Sequence, residues 1–417
     1  MSRFLRRPRM AVCAALALTG CAPSATQDCI KVGVLTAFTG AQGANGFNVE
    51  RVVQLVQQRV EQAGGVMGRP LCVVYADTHS DPRRARAAAE RLLDDEQVIA
   101  LVGPDDLDAV RAVQPAVEER SALALLPGIS ARQKLTLSAG TALQVGPAAE
   151  SLGCAAGERI YDSGYRKVVV VHSGDATSEL VGVSVAPSVE RYMRATSPAV
   201  VHTLRTAEDA SSYAELARDV ELLRPDAVLL VLSTRAASRF LQDWPAGAEV
   251  NPSWFFGPGL LNDVLLTNVT AGLLEGANGL SPSSENQHDL AELRLEYERQ
   301  FGGAPFPVSA YFYDAAALLV LAVEEAGRLQ GGKVPSGAQV AIQLRRVSTS
   351  PGKRIIWNAL AEGLGLVRAG QDVDYHGVSG ALTINPAGEL DRSSAVFTVE
   401  RVTDGAVTFA SFDACSF

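Results

Sequence analysis

Two α/β lobes, each built on a parallel sheet, are predicted by three observations on this 417-residue chain. Short β-branched runs alternate with longer stretches of helical period, which is the rhythm of βαβ units. The rhythm pauses at Gly146-Pro147 and then begins again. The length is too great for one ordinary domain and suits two, each able to bury its own core.

In the first half, strands are expected at Ile30 to Leu35, Leu71 to Ala76, Ile99 to Val102 and Leu123 to Leu126, with helices between them. Pro82 opens the second helix, where its missing N–H costs nothing, and Asp81 is placed to cap it. Another helix is expected over Leu107 to Arg120. After the restart, strands fall at Val168 to His172, Ala199 to Leu204, Ala227 to Leu232 and Trp254 to Phe256, with a helix over Tyr213 to Leu223. Helices at Asp289 to Phe301 and Ala310 to Ala326 follow, and three strand-like pieces around Leu382, Phe397 and Val407 close the chain. The apolar run Ala315 to Val323, flanked by Asp314 and Glu324, is too short to cross a bilayer and reads as a buried helix. Ser281-Pro282-Ser283-Ser284 reads as a connection between the lobes.

The N-terminus carries an address. Arg3, Arg6, Arg7 and Arg9 precede an apolar stretch from Met10 to Leu18, a pattern suited to a secretory signal. Leu18-Thr19-Gly20-Cys21 resembles the lipobox of bacterial lipoproteins, in which the thiol carries diacylglycerol and becomes the mature N-terminus; an ordinary cleavage site is the alternative. The expected layout is a signal over 1–20, lipidation at Cys21 and a tether over 21–29. Loss of the signal leaves 33 basic residues against 46 acidic ones, a formal charge of −13. That balance argues against a nucleic-acid groove or a polybasic membrane patch. Ala22 lacks the Asp that marks inner-membrane retention in many Gram-negative lipoproteins, which leans toward the outer membrane.

Four cysteines remain for an oxidising compartment: Cys29, Cys72, Cys154 and Cys415. Cys29 precedes the first strand and Cys72 lies in the second, close enough for a bridge, so the expected pairs are Cys29–Cys72 and Cys154–Cys415. Four reduced, buried thiols are the alternative.

Catalytic signatures are missing. Gly40-x-x-Gly43-x-x-Gly46 has the wrong spacing for a dinucleotide loop, and Asp77 lies too far along to be its ribose partner. No G-x-S-x-G elbow occurs, and His79, His172, His202, His288 and His376 form no triad or metal motif. His172 ends a strand and could face a cleft, while His79 belongs to a turn. No enzyme activity, cofactor or metal is expected.

Taken in order, IKVGVLTAFTG (30–40), AGGVMGRPLCVVYADTHSDP (63–82), LVGP (101–104), LPGIS (126–130), FFGP (255–258), YDAAALLVLAVEEAG (313–327) and GQDVDYHGVSGALTINPAGEL (370–390) resemble the type I periplasmic binding proteins of ABC transporters, in their leucine/isoleucine/valine-binding branch. The resemblance implies two doubly wound lobes joined by three hinge crossovers. Lobe 1 would comprise 30–145 and 283–392, and lobe 2 146–282 and 393–417. It further implies a monomer that holds a small-molecule solute in the cleft, closes by hinge bending and delivers to permease subunits.

Loops 39–46, 103–108 and 127–130 and a turn at Tyr311 to Asp314 should face that cleft from lobe 1. The resemblance places the ligand's carboxylate on small hydroxyl residues after the LVGP strand and on backbone N–H groups of the next loop, a role that Gly128, Ile129 and Ser130 fit. Where Ser or Thr is usual, however, this chain has Asp105-Asp106-Leu107-Asp108, and carboxylates repel an anion. After FFGP, where an acidic residue would meet the ligand's ammonium, stands Gly259. An inverted clamp would let Asp105 or Asp106 receive a cationic group while Ser130 and Arg235 serve the other end. The alternative for Asp105 and Asp106 is helix capping. Ser173 and Thr234 head the remaining lobe 2 loops. Two functions therefore compete: capture of an amino acid, amino-acid derivative or amide for a transporter, or a lipoprotein sensor or scaffold with an altered pocket.

Overall fold

The computed structural model describes residues 28–40, 42–129, 142–193, 200–270, 272–283, 287–306, 308–384, 390 and 394–416. The expected signal, the expected lipidation site Cys21 and the candidate site residue Ser130 lie outside them. The first lobe begins β1 (Ile30–Thr36), α1 (Ala44–Gln62), β2 (Leu71–Asp77), α2 (Pro82–Asp94), β3 (Ala100–Val102), α3 (Leu107–Glu119), β4 (Leu123–Leu126) and β5 (Ala142–Gln144). These strands form one parallel sheet in the order β2-β1-β3-β4-β5. Period-two alternation sends Ile30, Val32, Val34, Ala100, Val102, Leu123 and Leu125 into one core and Leu35, Leu101, Ala124 and Leu126 into another. The sheet is therefore covered on both faces. Asp81 caps α2 through the N–H groups of Arg83 and Arg84.

The second lobe runs α4 (Ala149–Asp162), β6 (Lys167–Ser173), α5 (Ala176–Met193), β7 (Val200–Thr206), α6 (Ala214–Leu222), β8 (Ala227–Val231), α7 (Thr234–Gln242), β9 (Ser253–Phe256), α8 (Asp263–Asn268) and β10 (Asn278–Pro282). Val168, Val170 and Phe255 face the α4–α5 side, while Val169, Val171, Trp254 and Phe256 face α6–α8. The chain then returns to the first lobe for α9 (Gln287–Phe301), α10 (Ser309–Leu329), α11 (Gly337–Leu344), β11 (Lys353–Ile356), α12 (Leu360–Arg368), β12 (Val373–Gly377) and β13 (Gly380–Ala381). Last come β14 (Ser394–Thr403) and β15 (Ala406–Ser416), which extend the second sheet to the order β15-β14-β10-β9-β8-β6-β7. The chain thus passes between the two sheets three times.

The pieces around Phe397 and Val407 are strands, as read, and form an antiparallel hairpin on an otherwise parallel sheet. Two readings need correction. Leu382 is not in a strand but lies just beyond a separate small sheet, β11-β12-β13. The Tyr311 to Asp314 segment is no turn: it lies inside α10, with Tyr311, Tyr313 and Asp314 buried. Asp314 accepts the N–H groups of Val378 (2.8 Å) and Ser379 (2.6 Å), so it anchors the β12–β13 turn and does not face a cleft. His172 is buried too, with Nδ1 against the Ser173 carbonyl.

α10 is buried from Ser309 to Gly327, charges included. Glu324 pairs with Arg368 and accepts the Met67 N–H, and Glu325 pairs with Arg328 and Arg346. Buried acids require such partners. Across the same core, Arg59 reaches from α1 to Glu296 of α9 and lies over the rings of Tyr313 and Trp357. Each lobe is consequently a stiff unit.

Strands β1 and β2 are also joined covalently, by a Cys29–Cys72 disulfide across 43 residues of chain. Cys154 is disulfide-bonded as well, while the side chain of Cys415 lies outside what is described. A 43-residue loop corresponds to about 4 kcal/mol of unfolded-chain entropy. Replacing Cys29 and Cys72 together with Ala is expected to lower the unfolding free energy by about that amount, measured by urea denaturation against the unreplaced protein.

Candidate functional site

In parallel sheets the carboxyl ends of the strands and the N-termini of the following helices share one edge. The two lobes turn these edges toward each other, and α3 of the first meets α5 of the second. Asp108 Oδ2 accepts the Ala176 N–H at 2.9 Å, and the Leu107 N–H donates to Thr177 Oγ1 at 3.3 Å. Ile129 at the end of β4 packs onto the core of the opposite lobe.

Both helices are also capped from within. Asp106 accepts the N–H groups of Asp108 (3.1 Å) and Ala109 (3.3 Å) with its carboxylate and that of Val110 (2.8 Å) with its carbonyl. Every N–H of the first turn of α3 from Leu107 to Val110 therefore has an acceptor within the protein. On α5, Asp175 accepts the Ser178 N–H (2.9 Å) and takes a hydrogen bond from the Ser173 hydroxyl.

Asp105 differs from these acids. It retains some accessible surface but lies deep among protein atoms, and among the described residues its carboxylate has only its own backbone N–H as donor. Burial, with the charge of Asp106, pushes its pKa up to about 6. Asp106 is raised as well, by burial first and then by Asp108 and Asp175. The junction is thus acidic, with four carboxylates from the two lobes.

The rim is tied down on each side. In the first lobe, Asp77 accepts the N–H groups of Phe38 (3.0 Å) and His79 (2.7 Å) and the Thr39 hydroxyl (2.7 Å), binding the β1–α1 loop to the β2–α2 loop. Although burial opposes its charge, these bonds hold the Asp77 carboxyl below its usual range. In the second lobe, Glu208 accepts both the N–H and hydroxyl of Ser233, joining the loops after β7 and β8. Beside it opens a cavity of about 450 Å³ lined by Gly174, Asp175, Arg205, Thr206, Ala207 and Glu208.

The sequence-predicted residues divide as follows. Asp105 lies deep among protein atoms directly before Asp106, which is the cap of α3. Gly128 is a close backbone crossing: a Cβ there would lie 1.8 Å from the Asp105 carbonyl, and its own carbonyl accepts Gln144 Nε2. Ser173 is engaged with Asp175, and Thr234 receives the Asn262 amide at 3.4 Å. Arg235 is exposed on the first turn of α7. Gly259 has a positive φ of 69° and its N–H points to Ser281 Oγ. Sequence reasoning missed Thr177 and Glu208, and it gave no role to Asp108. Nothing local marks a partner that comes from the other lobe.

A family model described as periplasmic binding protein matches residues 29–363, most of the chain. The chain belongs to the periplasmic binding protein family. That family comprises solute binders rather than enzymes, as expected from the resemblance. Among curated relatives, an amino acid binding protein of Pseudomonas aeruginosa is 27% identical over 176 residues, 42% of this chain and 47% of that one, so the match spans about half of that relative's length. The chemotactic signal transduction system substrate-binding protein BasB of Halobacterium salinarum is 23% identical over 398 residues, covering 91% of this chain and 88% of that one. A leucine binding protein of Thermotoga maritima superposes with a TM-score of 0.73 at 19% identity, over 92% of this chain and 98% of that one. This likeness establishes the two-lobed fold.

An acid whose folded pKa is raised destabilises the fold when charged. The penalty is present above about pH 6 and vanishes below the unfolded value of 3.8. Asp105→Asn is therefore expected to raise stability at pH 7 by on the order of 2 kcal/mol and to leave it unchanged at pH ~2.5, where Asp105 is protonated in the folded and the unfolded chain alike. Chemical denaturation at the two pH values measures the difference.

Proposed function

We propose that this protein is the extracytoplasmic solute-binding lipoprotein of an ABC transporter, anchored through Cys21, and that its solute is a small polar molecule carrying a cationic group. Family membership supports solute capture between hinged lobes, and the Arg-rich, apolar N-terminus ending in Leu18-Thr19-Gly20-Cys21 supports export and anchoring. The observation that carries the choice of solute is Asp105, a deeply set carboxylate without a counter-charge among the described residues, next to a helix N-terminus where the Leu107, Asp108 and Ala109 amides are already occupied. An anion at α3 would displace Asp106 or Thr177 and meet four carboxylates. A cation at Asp105 relieves a burial penalty that the solute-free protein carries.

Amino acids, their amides and other derivatives remain within this class when their ammonium enters first. The inverted arrangement leaves the solute's neutral or anionic end to the second lobe, where Arg235 is exposed and Gly259 offers no charge.

A second reading is a sensor that reports its solute to a signalling partner. The relative named for chemotactic signal transduction favours it, because the match extends over 91% of this chain. Both readings require a solute, whereas a scaffold that had lost its pocket would not.

Calorimetric titration of the protein with leucine, amino-acid amides, linear polyamines and aromatic carboxylates discriminates among them. Cation-bearing solutes are expected to bind, and Asp105→Asn to weaken them ten- to a hundredfold, about 1.4 to 3 kcal/mol for a charge-assisted contact. Leucine binding that is tight and unaltered by Asp105→Asn contradicts the choice of solute. An absence of binding and of any rise in melting temperature across the panel favours the scaffold.

A further inference from the structure

We propose that the reciprocal contacts between α3 and α5 form a built-in latch, which holds the two lobes together at this corner of the cleft without a solute. In each contact a backbone N–H of one lobe donates to a side-chain oxygen of the other: Ala176 to Asp108, and Leu107 to Thr177. Hinge opening breaks both at once.

Neither side chain is needed for its own helix. Asp106 already caps α3, and Asp175 already caps α5. Asp108 therefore acts on the helix opposite, where the partial positive charge of the α5 N-terminus attracts it. It holds this position against the neighbouring charges of Asp106 and Asp175, with Arg111 at 3.7 Å as its counter-ion. Ile129 adds an apolar contact to the same closure by packing onto the core of the second lobe. These atoms come from both lobes and meet only in this arrangement, so they specify a closed state rather than either fold. The inference does not depend on which solute the cleft accepts.

Hydrogen exchange of the solute-free protein, read by mass spectrometry over the segments containing Leu107 and Ala176, tests it together with small-angle X-ray scattering. The unaltered protein is expected to protect both amides. Asp108→Ala should speed exchange at Ala176, and Thr177→Val should speed it at Leu107. The double variant should speed both at least tenfold and increase the radius of gyration, while its melting temperature stays within a few degrees because the local caps remain. Asp108→Asn, which keeps an oxygen acceptor, should retain part of the protection. If Asp108→Ala does not fold, Thr177→Val, which alters no charge, gives the same reading from Leu107. Exchange at unprotected rates in the solute-free, unaltered protein would overturn the latch, as would a double variant with unchanged scattering.

Discussion

The first turn of a helix leaves four N–H groups without partners in their own helix, and whatever fills them determines what that helix end can bind. In α3, whose N-cap is Asp106, three of them have acceptors within the protein: Thr177 takes Leu107, and the Asp106 carboxylate takes Asp108 and Ala109. A helix end that could hold a carboxylate is thereby converted into one that presents acids. Asp105, one residue upstream, has no counter-ion among the described residues, and burial raises its pKa. The proposed preference for a cationic solute rests on that carboxylate beside amides that are already occupied.

That arrangement is held by stiff lobes. Both sheets bury alternate residues on their two faces, and the charged groups inside α10 are paired with Arg368, Arg328 and Arg346. Asp77 and Glu208 then fix the rim loops to one another within each lobe. The proposed hinge motion is left to the three passages between the sheets.

Many of the strands were legible in the sequence because a strand buried on two faces writes itself as a β-branched run. Ile30 to Leu35 and Val168 to His172 are found within β1 and β6, and Asp81 caps α2 as its place before Pro82 implies. β5 and β11 were not read: they are as short as β3, β4 and β9, but only partly buried, and ALQ and KRII lack the continuous apolar run that marks those strands. The antiparallel hairpin β14–β15 was seen as strands without its direction, since direction depends on a distant partner. At the site, the run Asp105-Asp106-Leu107-Asp108 announced unusual chemistry, but one carboxylate caps α3, one crosses to α5 and one has no counter-ion among the described residues. Only the fold distinguishes them, because the deciding partners, Thr177 and Ala176, are separated from them by about 70 residues.

The most direct measurement of this account is a crystal structure of the protein with its solute bound. The account predicts a cationic nitrogen within hydrogen-bond distance of the Asp105 carboxylate, with the Asp108 and Ala109 amides still on Asp106. A solute carboxylate seated on those two amides, with Asp106 displaced, would contradict it.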